Sequence, residues 1–259
     1  MKTTQSKDGT TLAYDEYGNG PPLLFITGAV CFRSFGPVLH DAKVFANQFT
    51  VFNYDRRGRG DSGNTLPYHI NRELEDIEAM IDVAGEAVNV YGHSSGAILG
   101  LEAAMQLGDK VNKLVMYDVP YANNEANQKE FMELSQGLYR LIDRGKNEEA
   151  IVSFLKGIDM PPEVITVFQH SPQWETMVAL APTLAYDTIL ASDLPPIKKV
   201  SDLSTPTKII VGENSPTSIH KVASQLNSAI PNAAYSMLAG QDHMPNPEVL
   251  IPVLSKFLK

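Results

Sequence analysis

The chain has 259 residues, 43% of them hydrophobic and 20% charged. That size suits one α/β domain with room for an insertion, and a core that needs no metal or disulfide staple. A formal net charge of −9 and a single cysteine, Cys31, argue against nucleic-acid or anionic-membrane partners and exclude an intrachain disulfide, in keeping with a reducing compartment.

The opening segment, MKTTQSKDGTTLAYDEYG, has no apolar stretch of signal-peptide length, and no run of about 18 apolar residues occurs later. The expectation is a soluble cytoplasmic protein. Asp8-Gly9 between alternating segments predicts a β-hairpin. GPPLLFITGA is a short, continuously apolar strand that ends in a glycine turn, and a helix is expected over about 36–48. FTVFNYD is the next strand and ends at Asp55. Strands that are apolar throughout belong to a sheet covered on both faces. Arg56, Arg57 and Arg59 form a short basic run flanked by Asp55 and Asp61.

Leu74, Ile77, Ile81 and Ala84 recur at helical spacing and Gly85 stops that helix. VNVYGHSSGAILGLEAA then runs from a β-branched strand into a helix through two serines. KLVMYDVP, TKIIVGE and AAYSMLAG are further strands. A last helix is capped by Asn246, with Pro247 in its first turn and Val249, Leu250, Val253, Leu254, Phe257 and Leu258 on its apolar face. Strands alternating with helices imply right-handed crossovers and a mostly parallel sheet. The interval from Val119 to about Leu203 breaks this rhythm. Phe131, Leu134, Leu138, Leu141 and Ile142 predict a helix there, and the interval holds Trp174 among other aromatic and Met residues. The reading is a core domain of residues 1–119 and 203–259 with a helical lid or cap over 120–202. The cap's apolar side chains either wall a pocket or only dock it.

Gly92-His93-Ser94-Ser95-Gly96 fits G-x-S-x-G between a strand and a helix. Such a corner forces strained backbone angles on Ser94, lifts its side chain above the sheet, and aims the Ser95 amide from a helix N-terminus. Ser95 is the rival nucleophile, one place past the corner. A serine needs a base near neutral pKa. His243, in LAGQDHMPN between the last strand and the last helix, is the candidate. His93 adjoins Ser94, but its side chain is expected to leave the corner elsewhere. His40, His69, His170 and His220 lie on helices or loops.

Taken together, ITGA, YDRRGRGDS, GHSSG and the late His243 make the chain resemble the α/β-hydrolase superfamily over nearly its whole length. The resemblance implies an oxyanion hole made by the backbone amides of Ala29, just past Gly28, and Ser95, with each donor contributing roughly 3–4 kcal/mol to the transition state. Thr27 stands where the superfamily often has His. The superfamily usually places its acid in a Gly-x-x-Asp after the seventh strand; here that stretch reads Gly212-Glu213-Asn214-Ser215. Asp118 closes LVMYD, and parallel strands share the C-terminal edge where ligands bind, so it can lie on one rim with Ser94 and His243. Tyr117-Asp118-Val119-Pro120 is similar to a bacterial subgroup with Tyr-Glu-Pro-Pro there. Glu213 is the alternative acid; Asp55 precedes the serine, and Asp242 is too close to His243 in sequence.

The expected activity is hydrolysis of a small to medium hydrophobic carboxylic ester, thioester or lactone through an acyl-enzyme, with Ser94, His243 and Asp118 as triad. No cofactor and no metal site are expected. The rivals are a non-catalytic small-ligand binder, a cofactor-free perhydrolase or haloperoxidase-like enzyme, and a carbon–carbon bond hydrolase.

Overall fold

The computed structural model describes residues 1–259 apart from Glu86, Asp159 and Asn232. Eight strands form one sheet: β1 (Lys2–Gln5), β2 (Thr11–Tyr17), β3 (Pro22–Ile26), β4 (Thr50–Tyr54), β5 (Val88–His93), β6 (Val111–Tyr117), β7 (Thr207–Gly212) and β8 (Ala234–Leu238). Their order is β1-β2-β4-β3-β5-β6-β7-β8. The β1–β2 and β2–β4 pairs are antiparallel and all the others parallel. The chain therefore has the expected α/β architecture, with the predicted hairpin as its antiparallel edge.

The continuous apolar strands have the predicted cause. On β3, Leu24 and Ile26 enter one core cluster while Leu23 and Phe25 enter the other. On β5, Val88 and Val90 face the first cluster and Tyr91 the second. Helices α2 (Ile70–Ala84), α3 (Ser95–Leu107) and α9 (Thr217–Ala229) cover the first face. Helices α1 (Gly36–Phe45) and α10 (Pro247–Leu258) cover the second. Asn246 caps α10 by accepting from the Glu248 amide at 2.9 Å.

Helix α1 ends at Phe45, short of the expected Gln48. The turn between β2 and β3 lies against the chain that follows. A Cβ at Gly18 would sit 2.2 Å from the Phe49 carbonyl oxygen, and one at Gly20 would sit 2.5 Å from that of Gln48. This packing holds the segment as a turn leading directly into β4.

Among the described residues, five α-helices lie between β6 and β7: α4 (Glu125–Ile142), α5 (Asn147–Gly157), α6 (Pro162–Gln169), α7 (Trp174–Ala179) and α8 (Leu184–Ser192). Among the described residues no strand interrupts them. They roof the C-terminal ends of the strands. Phe154 and Leu155 of α5 join the cluster beneath α1 and α10, and Leu190 of α8 joins the other.

The basic run does not reach the surface. Arg56, Arg57 and Arg59 are buried, and each is paired with acids. Arg57 makes two bonds of 2.7 Å to Asp76 and one of 3.0 Å to Asp8. The Asp55 carboxylate accepts from the amides of Arg33 (2.6 Å) and Asp61 (2.9 Å), which folds the turn carrying these arginines. Among the described residues no helix is long and apolar enough to cross a membrane.

The tightest packing lies where β5 becomes α3. A Cβ at Gly96 would be 2.1 Å from the Ile26 carbonyl oxygen, and one at Gly92 would be 2.4 Å from that of Gly96. Both neighbours are backbone and cannot swing aside. Gly96→Ala should destabilise the protein by about 2 kcal/mol or more. A urea-unfolding midpoint equal to that of the wild type would show that β3 and α3 can separate freely.

Candidate active site

The C-terminal ends of β3, β5, β6 and β7 converge on a cavity of about 830 Å³. Three non-glycine residues adopt positive φ among the described residues, and all lie at these ends: Val30 (53°), Ser94 (56°) and Asp118 (48°). Such conformations cost roughly 1–3 kcal/mol each and collect where a site demands them.

Ser94 occupies the corner between β5 and α3 with φ 56° and ψ −128°. Its amide donates to the Tyr117 carbonyl at 3.0 Å, tying the corner to the end of β6. Its side chain is half-buried and lines the cavity. Gly28 passes alongside, so close that a Cβ there would lie 2.8 Å from the Ser94 Cβ and 3.3 Å from its Oγ. Ala29 thus enters the same cavity wall. Ser95 opens α3, where a first-turn N–H has no intrahelical acceptor. Its hydroxyl points away and donates to Asp187 at 2.7 Å.

His243 follows β8 and lines the cavity. Its Nδ1 lies 3.0 Å from Asp118 Oδ2. The Asp118 carboxylate is fully buried, and three donors surround it. The Gly212 amide reaches Oδ1 at 3.1 Å, while the Ser215 hydroxyl, at 2.5 Å, shares Oδ2 with His243. Ser215 stands where the superfamily usually has its acid, and here its hydroxyl donates to the Asp118 carboxylate.

The other acids are engaged elsewhere. Glu213 is exposed and accepts from the Gly240 amide at 2.7 Å. Asp55 holds its own turn, and the Asp242 side chain accepts from the Met244 amide at 2.8 Å. His69 caps α2, His170 bonds the Thr166 carbonyl, and His40 and His220 lie on α1 and α9.

His93 departs from the expectation that it turns away. Its Nε2 donates to the His243 carbonyl at 2.7 Å, and the two imidazoles lie 5.0 Å apart between centroids. Tyr117 donates to the Asp242 carbonyl at 2.5 Å. Two side chains from neighbouring strands therefore clamp the main chain of the His243 loop. Among the described residues no group of three or more His, Cys, Asp or Glu is arranged to hold a metal.

The fold and this convergence of strand ends describe an α/β hydrolase. The profile of the alpha/beta hydrolase family matches residues 23–250, and the chain belongs to that family. It is similar to an alpha/beta hydrolase from Sphaerobacter thermophilus DSM 20745 of known structure, with 37% identity over 100% of both chains and a TM-score of 0.88. It is 26% identical to a putative carbamate hydrolase RutD of Azorhizobium caulinodans, over 86% of this chain and 84% of that one. The match to the uncharacterized hydrolase YraK of Bacillus subtilis, also 26% identical, spans about half of each chain, 48% and 49%.

Burial first, then the neighbouring His243, pushes the His93 imidazole down to about 4. An unfolded histidine titrates near 6.5. Between about pH 6.5 and 4 the unfolded chain therefore takes up a proton that the native chain refuses, and stability falls as pH falls through that window. The contribution is on the order of 3 kcal/mol across it. His93→Gln should lose less stability than the wild type between pH 7 and pH 4.5. Urea unfolding of both proteins at the two pH values measures this, and equal losses would refute it.

Proposed function

We propose that this chain is a serine hydrolase that cleaves a small to medium hydrophobic carboxylic ester, thioester or lactone through an acyl-enzyme. The observation that carries the reading is the 3.0 Å contact of His243 Nδ1 with the buried Asp118, in the cavity that also holds Ser94 at its strained corner. With Nδ1 engaged by the carboxylate, Nε2 is the nitrogen left to serve Ser94.

In this mechanism Ser94 Oγ attacks the acyl carbon and its proton passes to His243 Nε2. The new oxyanion lies between the amides of Ala29 and Ser95. The imidazolium, held by Asp118, then gives its proton to the leaving oxygen or sulfur. Water attacks the acyl-enzyme with His243 again as base, and Ser94 is released. No step draws on a cofactor. Ser215 and the Gly212 amide keep the Asp118 carboxylate aimed at Nδ1 while its charge balances the imidazolium.

The helices between β6 and β7 act as a cap in this reading. Phe131, Leu134, Phe154, Ile158, Val164 and Phe168 supply the apolar wall, which favours a hydrophobic acyl or alcohol portion. The likeness to a putative carbamate hydrolase supports carbamates as a further substrate class in this reading, because the same acyl transfer serves both.

A fluorophosphonate should add once, on Ser94, and fail to add in His243→Ala; peptide mapping reads this, and a folded wild type without adduct would sink the proposal. Asp118→Asn should lower kcat by about a thousandfold or more with little change in the urea midpoint. Near-normal turnover would remove Asp118 from the triad. Over short acyl chains kcat/KM should rise roughly three- to fourfold per added methylene, at ~0.8 kcal/mol each. A flat profile across a 4-nitrophenyl ester series would mean that the cap residues only dock.

A further inference from the structure

Asp187 sits on α8, 2% exposed, in the middle of a buried ion cluster. Its Oδ1 accepts from Arg56 Nη1 at 2.8 Å and from the Ser95 hydroxyl at 2.7 Å. Its Oδ2 accepts from Arg59 Nη2 at 2.6 Å. The arginines do not end there. Arg59 Nη1 donates to the Gly28 carbonyl at 2.5 Å, and Arg56 Nη1 donates to the Thr27 carbonyl at 3.3 Å. Arg56 is steadied on its other side by Glu73, with bonds of 3.1 and 2.5 Å.

Two arms of this cluster end on groups next to the proposed oxyanion donors, at the Gly28 carbonyl and at the Ser95 side chain. The Gly28 carbonyl and the Ala29 N–H belong to one peptide unit, which is planar and trans. Its C=O and N–H therefore point in opposite directions, and gripping the oxygen fixes the line along which the N–H is aimed. A guanidinium on that oxygen also polarises the peptide and strengthens the N–H as a donor. The other arm holds the side chain of Ser95, whose own N–H is the second donor. One carboxylate thus reaches both halves of the oxyanion hole, directly at Ser95 and through Arg59 at Ala29.

We infer that Asp187 is a positioning residue for the oxyanion hole: it sets the two amides from the cap side and touches no reacting atom. The inference rests on the serine-hydrolase reading above. It assigns to a cap helix a part in transition-state stabilisation as well as in walling the pocket. The cluster holds two arginines against Glu73 and Asp187, so the charges balance only while Asp187 is ionised.

The test compares wild type, Asp187→Asn and Ser95→Ala with a 4-nitrophenyl ester and a trifluoromethyl ketone. The ketone forms a hemiketal with Ser94 whose oxygen occupies the oxyanion hole. Loss of one whole donor typically costs 10²–10³ in kcat, so misaiming both without removing either should lower kcat in Asp187→Asn by about thirtyfold or more. KM should stay within about threefold, and Ki for the ketone should rise in step with the fall in kcat. Ser95→Ala keeps every ion pair and should show the same pattern at about fivefold.

A purely structural clamp would lower the melting temperature and leave kcat per folded molecule and Ki unchanged; that result in Asp187→Asn overturns the inference. Should Asp187→Asn fail to fold, Ser95→Ala decides, and unchanged kcat and Ki there overturn it as well. The wild type separates this failure from that of the underlying reading. Wild-type protein that neither turns over ester nor labels at Ser94 rejects the hydrolase proposal and this inference with it, whereas an active wild type with unaffected variants rejects the inference alone.

Discussion

A strand can pass into a helix at a single residue only if the two elements can touch, and in this chain they touch through glycine. At Gly96 the helix α3 backbone lies against the Ile26 carbonyl, and at Gly92 strand β5 lies against Gly96. That contact leaves Ser94 with φ 56°, lifts its hydroxyl above the sheet, and places the start of α3 beside the end of β3. The neighbouring strands are parallel, so their ends arrive at the same level. The Gly28–Ala29 loop, Asp118 and the His243 loop all meet Ser94 there without any long connection having to reach inward.

The surroundings then have to hold groups that water would otherwise hold. Asp118 is fully buried, and a buried carboxylate without donors is costly. The Gly212 amide, Ser215 and His243 supply those donors. Arg56 and Arg59 are equally buried, and Glu73 and Asp187 answer them. Deleting either partner of such pairs leaves a stranded charge, which costs more than the loss of the contact alone. His93 extends the same logic to a neutral group, since burial keeps its ring uncharged and lets Nε2 hold the His243 main chain.

Much of this was legible in the sequence because it depends on local pattern. Continuous apolar strands announced a sheet covered on both faces, and G-x-S-x-G between strand and helix announced the corner. Asp118 could be singled out because it ends a parallel strand, and all such ends share one rim. What was not legible depends on contacts between distant segments. Ser215 read only as a missing acid, although a hydroxyl in that place is the natural donor to a carboxylate on the next strand. His93 read as pointing away, because strand alternation says nothing of where the loop after β8 will pass. Asp187 lies in LAYDTIL, and an acid inside so apolar a run was the one available signal that it has a buried partner. Which partner it has could not be read at a separation of 131 residues from Arg56. The early end of α1 was hidden for the same reason, since it is set by the β2–β3 turn lying against it.

The origin of Asp187 limits how the family's architecture can be varied here. Helical segments inserted after the sixth strand look like modules, exchangeable between relatives to change what a pocket admits. In this chain the segment also carries the counter-charge for two arginines buried under the sheet's rim. A transplanted segment with an ideal pocket but no acid at that place would leave the acceptor core with an uncompensated cation. Changes to the pocket wall therefore leave this counter-charge in place only while α8 stays with the core, and they must also respect Phe154 and Leu155, which α5 lends to the cluster beneath α1 and α10.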